Sequence, residues 1–300
     1  MIYTCTFSPA IDYMAYVDGF SVGTLNRAHD VYYLPGGKGI NVSRVLQACE
    51  QPSTALGFIG GFTGQYLQQL LREQHIETDF IETDEITRIN VKVKATLETE
   101  LNGPSPIVHP HMLEALCAQL ATLQEGDWFI LSGTVPEGVA IETLLTTVAA
   151  TKAHIVADTS GQLLHRVLPY NPVFVKPNIH ELAELFDVRI HTADEAIPYA
   201  KRLLEKGAQH VIVSLGAEGA LFVAADEVYH ASAPTGQLVN SVGAGDSVVA
   251  ATIAHYLKTK NWQQAFAFGV AAGSATAFQL DLCTYEDIQA LQPFVQLTKR

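Results

Sequence analysis

Asp127-Trp-Phe-Ile-Leu-Ser132, a helix-patterned stretch over Ile141–Ala150, then His154-Ile-Val-Ala-Asp158: this run from 127 to 158 decides the fold class. Both apolar runs are short and uninterrupted, as in strands covered on two faces rather than one. A helix between two such strands makes a crossover, and a crossover of this kind joins parallel neighbours. Working downstream, Val173-Phe-Val-Lys176, a helix from about Ile179, a second from Asp194 to Lys206, and His210-Val-Ile-Val-Ser214 continue the alternation. Upstream, Met112–Leu123 places Leu113, Leu116, Leu120 and Leu123 on one helical face. The pattern predicts an α/β domain with a parallel sheet and helices on both faces. Ligands bind such sheets beyond the carboxyl ends of the strands. Those ends carry Ser132, Asp158, Lys176-Pro-Asn178 and Ser214-Leu-Gly216.

The first hundred residues read differently. Asn90-Val-Lys-Val-Lys-Ala-Thr-Leu97 alternates polar and apolar, which predicts a strand with one wet face, and Asp12–Val17 shows the same tendency more weakly. Such strands stand outside the main core, either as a lid over a ligand or as a plain edge hairpin. The chain shows no internal repeat and no low-complexity tract. Its 300 residues suit a single α/β domain spanning 1–300, with lid segments near 11–18, 29–35 and 87–108.

A formal charge of −13 argues against nucleic acid or an anionic membrane surface as partner. It also means that any phosphate-bearing ligand needs the 18 Lys and Arg concentrated locally. Cys5, Cys49, Cys117 and Cys283 are widely spaced and read as reduced thiols packed in a core. The start, Met1-Ile-Tyr-Thr-Cys-Thr-Phe-Ser-Pro-Ala-Ile-Asp-Tyr13, lacks the features of a secretory signal, and no stretch has the roughly 20 apolar residues of a membrane span. A cytoplasmic location is expected.

Three segments carry candidate chemistry. Asn240-Ser-Val-Gly-Ala-Gly-Asp246 precedes a run of small apolar residues that reads as a buried helix. Free amides and the positive end of the helix dipole would then meet at Gly243–Asp246, an anion site. An aspartate beside a bound phosphate would repel it, unless its task is to take a proton from an attacking hydroxyl. Taken alone, Asp246 is equally an ordinary helix cap. In Pro35-Gly-Gly-Lys-Gly-Ile-Asn41, a glycine turn precedes an amphipathic helix, with Lys38 for charge and Asn41 for polyol hydrogen bonds. The spacing fits neither the P-loop nor the dinucleotide fingerprint. At period two, Arg88, Asn90, Lys92 and Lys94 share one strand face, a candidate phosphate clamp in which Arg88 suits bidentate contact. The plainer reading is a solvated strand face.

Taken together, these segments resemble the ribokinase-like (PfkB) carbohydrate kinases, and within them the 1-phosphofructokinase and tagatose-6-phosphate kinase group. The resemblance runs along the whole chain: SPAID near the start, GGKGINVSRVL at 36–46, GFIGGFTG at 57–64, TRINVKV at 87–93, LSGTVPEG at 131–138, DTSG at 158–161, VKPNIHEL at 175–182, VSLGAEGALF at 213–222 and VNSVGAGDS at 239–247. It implies a three-layer α/β/α sandwich with a small β-sheet lid that also makes a homodimer. It implies Asp246 as catalytic base, with Gly243, Ala244 and Gly245 as the anion hole. Asp12, Gly36, Gly37, Lys38, Asn41, Arg88 and Asn90 fall at substrate-binding positions. Lys176, Asn178, Ser214, Gly216, Gly219 and Gly245 fall at the ATP site, and Asn178 with Glu181 would organise Mg²⁺ through water. No histidine falls in a motif, and none is assigned a role.

The reaction so implied is ATP-dependent phosphorylation of a ketohexose monophosphate, fructose 1-phosphate to fructose 1,6-bisphosphate. A tagatose-6-phosphate or 6-phosphofructo kinase is the alternative within the family, and a non-catalytic sugar-phosphate sensor the alternative outside it. An oxidoreductase lacks its glycine fingerprint. Ser8, Thr24, Thr134 and Ala251 depart from common family residues, and none of them touches the Asp246 motif in sequence.

Overall fold

A computed structural model describes residues 1–300. Along the chain, β1 (Ile2–Thr6), β2 (Ala10–Tyr16) and β3 (Asp30–Gly36) lead into α1 (Lys38–Ala48), β4 (Thr54–Ile59) and α2 (Gly61–Glu73). Two-residue strands β5 (Glu77–Thr78) and β6 (Ile81–Glu82) precede β7 (Arg88–Lys94), β8 (Thr99–Leu101) and α3 (Pro110–Leu120). Then come β9 (Trp128–Ser132), α4 (Ile141–Ala150), β10 (His154–Asp158), α5 (Gly161–Val167), β11 (Phe174–Val175), α6 (Ile179–Leu185), α7 (Ala193–Glu205) and β12 (His210–Ser214). The chain closes with β13 (Ala220–Val223), β14 (Val228–Ala231), α8 (Ala244–Thr259), α9 (Trp262–Ala277), α10 (Tyr285–Leu291) and β15 (Leu297–Lys299).

The main sheet runs β15-β14-β13-β12-β11-β10-β9-β1-β4-β5, with β6 also pairing β4. It is parallel from β12 to β5, and antiparallel where β13, β14 and β15 extend it. The purely parallel expectation therefore covers the central strands only. β1 also lies at the centre, between β4 and β9, although its sequence gives no sign of that place.

Strand alternation divides the core into two. Phe129 and Leu131 point into one cluster with Leu116 of α3, Leu145 of α4 and Leu203 of α7. Trp128 and Ile130 point the other way, into a cluster with Val45 of α1, Val249 of α8 and Phe266 of α9. This is the three-layer sandwich. No helix is long and apolar enough to cross a membrane.

A second sheet, β3-β2-β7-β8, stands apart from the core. Its register puts Asp12, Asn90 and Lys92 on one face with Glu100, and Tyr13, Tyr33, Val91 and Leu101 on the other. Sequence alone left the polar face either solvated or turned to a ligand. Asp12, Asn90 and Lys92 are buried, turned towards the main sheet, whereas Tyr33, Ile89 and Leu101 are exposed. Strand structure in the 87–108 segment ends at Leu101, so the remainder of that lid segment is irregular chain.

The helical pair α8 and α9 carries the candidate site on its amino end, and small residues set its closeness. A Cβ on Gly269 would lie 2.1 Å from Thr252 Oγ1 and 2.9 Å from the Val248 carbonyl oxygen. Overpacking a tight core costs about 1–3 kcal/mol. Gly269→Ala should therefore lower the unfolding temperature by several degrees, with part of the loss recovered in Gly269→Ala/Thr252→Ala. An unchanged melting curve for the single variant would contradict the close helix contact.

Candidate active site

α8 starts from Gly243, whose φ of 80° is left-handed. A Cβ there would sit 2.4 Å from Leu282 Cδ2, so conformation and space both require glycine. The Ser247 amide donates to the Gly243 carbonyl at 2.8 Å, and the Ala244 amide turns back to the Ser241 carbonyl at 3.3 Å. The Gly245 and Asp246 amides donate to no group of the chain. With the Gly243 amide, which also donates to no group of the chain, these make three free N–H groups at the start of a 16-residue helix, a receptor for anionic oxygen; of the amides expected in the anion hole, only that of Ala244 is already used.

Asp246 stands in this turn, 5% exposed, and its Oδ2 accepts a hydrogen bond from Asn41 Nδ2 at 2.8 Å. Burial and, second to it, the nearby Asp158 charge push its pKa up to about 7, against the pull of Lys38, Asn41 and Lys176. Such a carboxylate is poised to accept a proton near neutral pH. Asp158, at the end of β10, is more deeply buried and carries two ammonium groups: Lys38 Nζ at 3.3 Å and Lys176 Nζ at 3.2 Å. Burial works against its ionisation, but Lys176 and Lys38 outweigh burial and hold its pKa below the ordinary carboxylate value. For Lys38, desolvation is likewise overcome by Asp158, Asp246 and Glu181, and the pKa is raised. Lys176 also faces the anion turn, since a Cβ on Gly245 would lie 3.1 Å from its Nζ.

The second sheet forms the opposite wall. Asp12 accepts from Asn90 Nδ2 at 2.9 Å and pairs with Lys92 Nζ at 3.3 Å. Its carboxyl group lies flat over Gly36, where a Cβ would be 2.5 Å away. Lys94 reaches Glu98 at 2.5 Å and Asn240 Oδ1 at 3.3 Å. Arg88 has no carboxylate partner. Its Nη2 donates to the Ser8 carbonyl at 2.9 Å and its Nη1 to the Gly103 carbonyl at 3.3 Å, while its buried Nε has no partner. Burial lowers its pKa, with Asp12 opposing. Between the walls is a narrow cleft bordered by Asp12, Asn41, Arg44, Lys92, Asn240 and Asp281 among others.

Four hydroxyls also belong here, of which sequence reasoning marked only Ser132, as a strand end. Thr6, Ser8, Ser132 and Thr159 bury Oγ atoms without hydrogen-bond partners. They follow or end β1, β9 and β10, which are adjacent in the sheet. Unpaired buried hydroxyls are uncommon in folded proteins, and their gathering at one set of strand ends marks a place made for polar ligand atoms. The only cue in the sequence is their position just past apolar runs.

Asn178, Glu181, Ser214, Gly216 and Gly219 lie farther along the same edge, at the ends of β11 and β12. Asn178 Oδ1 accepts from the Glu181 amide and Glu181 Oε2 from the Asn178 amide, both at 2.8 Å, a reciprocal cap of α6. Gly216 and Gly219 bracket a short 3₁₀ turn after β12. No three His, Cys, Asp or Glu side chains gather as a metal cage. One free Glu181 oxygen and the Asn178 amide suit a cation held mainly by phosphates and water. Of the other departures from the family pattern, Thr24 is exposed and donates to the Ser21 carbonyl, Thr134 is exposed, and Ala251 is buried in α8.

The raised pKa of Asp246 has a consequence for stability. The unperturbed value is 3.8, so the folded protein binds this proton more tightly than the unfolded chain. The associated stability is present at low pH and is lost as pH rises from about 4 through about 7. Asp246→Asn removes that loss while keeping an oxygen for Asn41. Its melting temperature should exceed that of the parent by more at pH 8 than at pH 5. An equal difference at both pH values would show that the carboxylate is not desolvated.

Comparison with known proteins adds the following. Residues 3–287 match the family model for the pfkB family carbohydrate kinases. The chain is 47% identical over 303 residues to a 1-phosphofructokinase of Bacillus subtilis, with full coverage of both. It is 33% identical to a D-tagatose-1-phosphate kinase of Bacillus licheniformis, covering 99% of each chain. The crystal structure of phosphofructokinase-2 from Escherichia coli in complex with substrates and products superposes with a TM-score of 0.92, at 29% identity and 98% coverage of each chain.

Proposed function

Because the chain belongs to the pfkB family of carbohydrate kinases, we propose that it transfers the γ-phosphoryl group of ATP to the C6 hydroxyl of fructose 1-phosphate, giving fructose 1,6-bisphosphate. The observation that carries this reading is the Asp246 carboxylate, sealed from water beside three free amides and two lysines.

Asp246 takes the proton as the sugar O6 attacks the γ-phosphorus in line. The O6–P bond forms, the bond to the bridging oxygen breaks, and ADP leaves with that electron pair. The Gly243, Gly245 and Asp246 amides receive the charge developing on the transferred group, with the Ala244 amide, bonded to the Ser241 carbonyl, holding the turn in place. Lys38 and Lys176 exchange their Asp158 contacts for phosphate oxygens. Asp12, Asn41 and Asn90 orient the sugar hydroxyls over Gly36 and Gly37, and Arg88 takes the 1-phosphate with its unpartnered Nε. Ser214, Gly216 and Gly219 border the nucleotide. Mg²⁺, held by the ATP phosphates with Asn178 and Glu181 reached through water, would neutralise charge on those phosphates.

The lid has a further use. Its outer face shows Val31, Tyr33, Ile89 and Leu101 at 41–71% exposure, a patch apolar enough to seat a second copy and make a homodimer. The four free cysteines, three of them buried, suit a reducing cytoplasm.

Asp246→Asn should lower kcat by about 10²–10⁴-fold while leaving ATP binding in place. In the parent enzyme, kcat/KM for the sugar phosphate should rise with pH through about 7, since only the ionised carboxylate accepts a proton. A variant with near-normal turnover ends the proposed role. Arg88→Ala should raise KM for the sugar phosphate alone, and equal rises for both substrates contradict the clamp. A coupled assay across fructose and tagatose 1- and 6-phosphates tests the substrate. Preference for a 6-phosphate would overturn it, and no turnover of any would leave only a sensor. Light scattering tests the assembly: Tyr33→Asp/Ile89→Asp should run as a monomer where the parent runs as a dimer, and a parent that is itself monomeric refutes the lid interface.

A further inference from the structure

The loop 279–283 lies behind the anion turn and is tied down on three sides. At its start, the Leu280 carbonyl accepts from Asn240 Nδ2 at 3.1 Å. At its end, the Cys283 amide donates to Thr276 Oγ1 at 3.1 Å, and that hydroxyl shares a hydrogen bond with Ser247 Oγ at 2.7 Å. Between them, Leu282 fills the space that a side chain on Gly243 would take. The loop therefore presses on the residue whose left-handed backbone sets the course of the Gly243–Asp246 turn.

The middle of the loop, Asp281, has one partner, Arg44 of α1. Arg44 Nη1 and Nη2 donate to Asp281 Oδ1 and Oδ2 at 3.1 and 2.5 Å, and its Nε donates to Gln74 Oε1 at 3.0 Å. The arginine side chain is 10% exposed, so this bidentate pair is shielded on its cationic side. The inward residues Val42, Val45 and Leu46 hold α1 in the core without it. Arg44 is thus not needed to place the helix. It reaches from the helix to the loop. The same helix bears Lys38, and Asn41, whose amide holds Asp246.

We infer that the Arg44–Asp281 pair is a strut that fixes the 279–283 loop, and through Leu282 the Gly243 turn, against the helix that holds the sugar. Both are positioning residues for the transfer proposed above, on which this inference rests. Neither is assigned a contact with a reacting atom. Releasing the strut lets Leu282 move off Gly243, so the free amides and Asp246 lose their alignment with Asn41. Misplacement of a reacting group by about 1 Å lowers turnover on the order of 100-fold.

The test compares Asp281→Asn, Arg44→Ala and the reversed pair Arg44→Asp/Asp281→Arg. The strut predicts that both single variants lose kcat by about 10-fold or more with KM for ATP unchanged, and that reversal restores part of the loss. Asp246 is then titrated in ligand-free protein by carboxylate ¹³C NMR, its signal assigned by its absence in Asp246→Asn. Loosening the Asn41 hydrogen bond should raise the Asp246 midpoint in Asp281→Asn by about half a unit to one unit. Lys38, Lys176 and Asp158, the other charges that act on Asp246, are untouched by that substitution. Asp281 is half-exposed, so its replacement by Asn spares the fold even if Arg44→Ala does not. An unmoved midpoint together with parental kcat in Asp281→Asn overturns the strut. So does a rise in sugar-phosphate KM confined to Arg44→Ala, which would make Arg44 a ligand contact. If the parent protein phosphorylates no ketose phosphate, the proposed function fails, and the NMR titration still decides the strut.

Discussion

An ionisable carboxyl group buried at the amino end of α8 is the constraint from which the site follows. Removing Asp246 from water penalises its charge, and the like charge of Asp158 penalises it further. What keeps the anion accessible is the combination of Asn41, Lys38, Lys176 and the free ends of the helix backbone. The balance sits near neutrality, where a base can both take a proton and give it up. Every neighbouring choice serves that balance: the left-handed glycine that aims the turn, the small residues that let α9 approach α8, and Asp158 holding two lysines that would otherwise repel each other across a short gap.

The two-faced lid solves a second problem. Sugar hydroxyls need donors and acceptors on a surface dry enough for hydrogen bonds to count, and a β-sheet supplies two faces of opposite character at period two. Here the polar face is the covered one, with Asp12 held between Asn90 and Lys92, and the apolar face looks outward. In an ordinary two-layer protein the order is reversed. The inversion makes physical sense when the covered side lies over a polar ligand and the outer side meets another protein surface.

The sequence shows the central strands plainly because β9, β10 and β12 are covered on both faces and therefore read as unbroken apolar runs. The start of α8 was legible because Gly and Asp, which favour helix starts, stand directly before a run of small apolar residues. The central place of β1 was not legible, because it depends on pairing with residues about 50 and 125 positions away, and local pattern carries no trace of that. Alternation in 90–97 located the lid strand but left open which face meets water, since period two says only that the faces differ. The unpartnered hydroxyls of Thr6, Ser8 and Thr159, and the reach of Arg44 to a residue 237 positions on, are products of tertiary assembly. Neither residue type nor spacing announces them.

The pairing of nearly every cleft cation with an acid, within a chain of charge −13, governs how an anionic substrate arrives. Lys38, Lys176 and Lys92 project a reduced field into the solvent, because Asp158, Asp12 and, once ionised, Asp246 offset them at close range. From a distance a sugar phosphate meets net repulsion, and attraction appears only when it is near enough to take an ammonium away from its carboxylate. Capture of this kind is local, and dissolved salt, by screening the repulsion, speeds the encounter instead of slowing it.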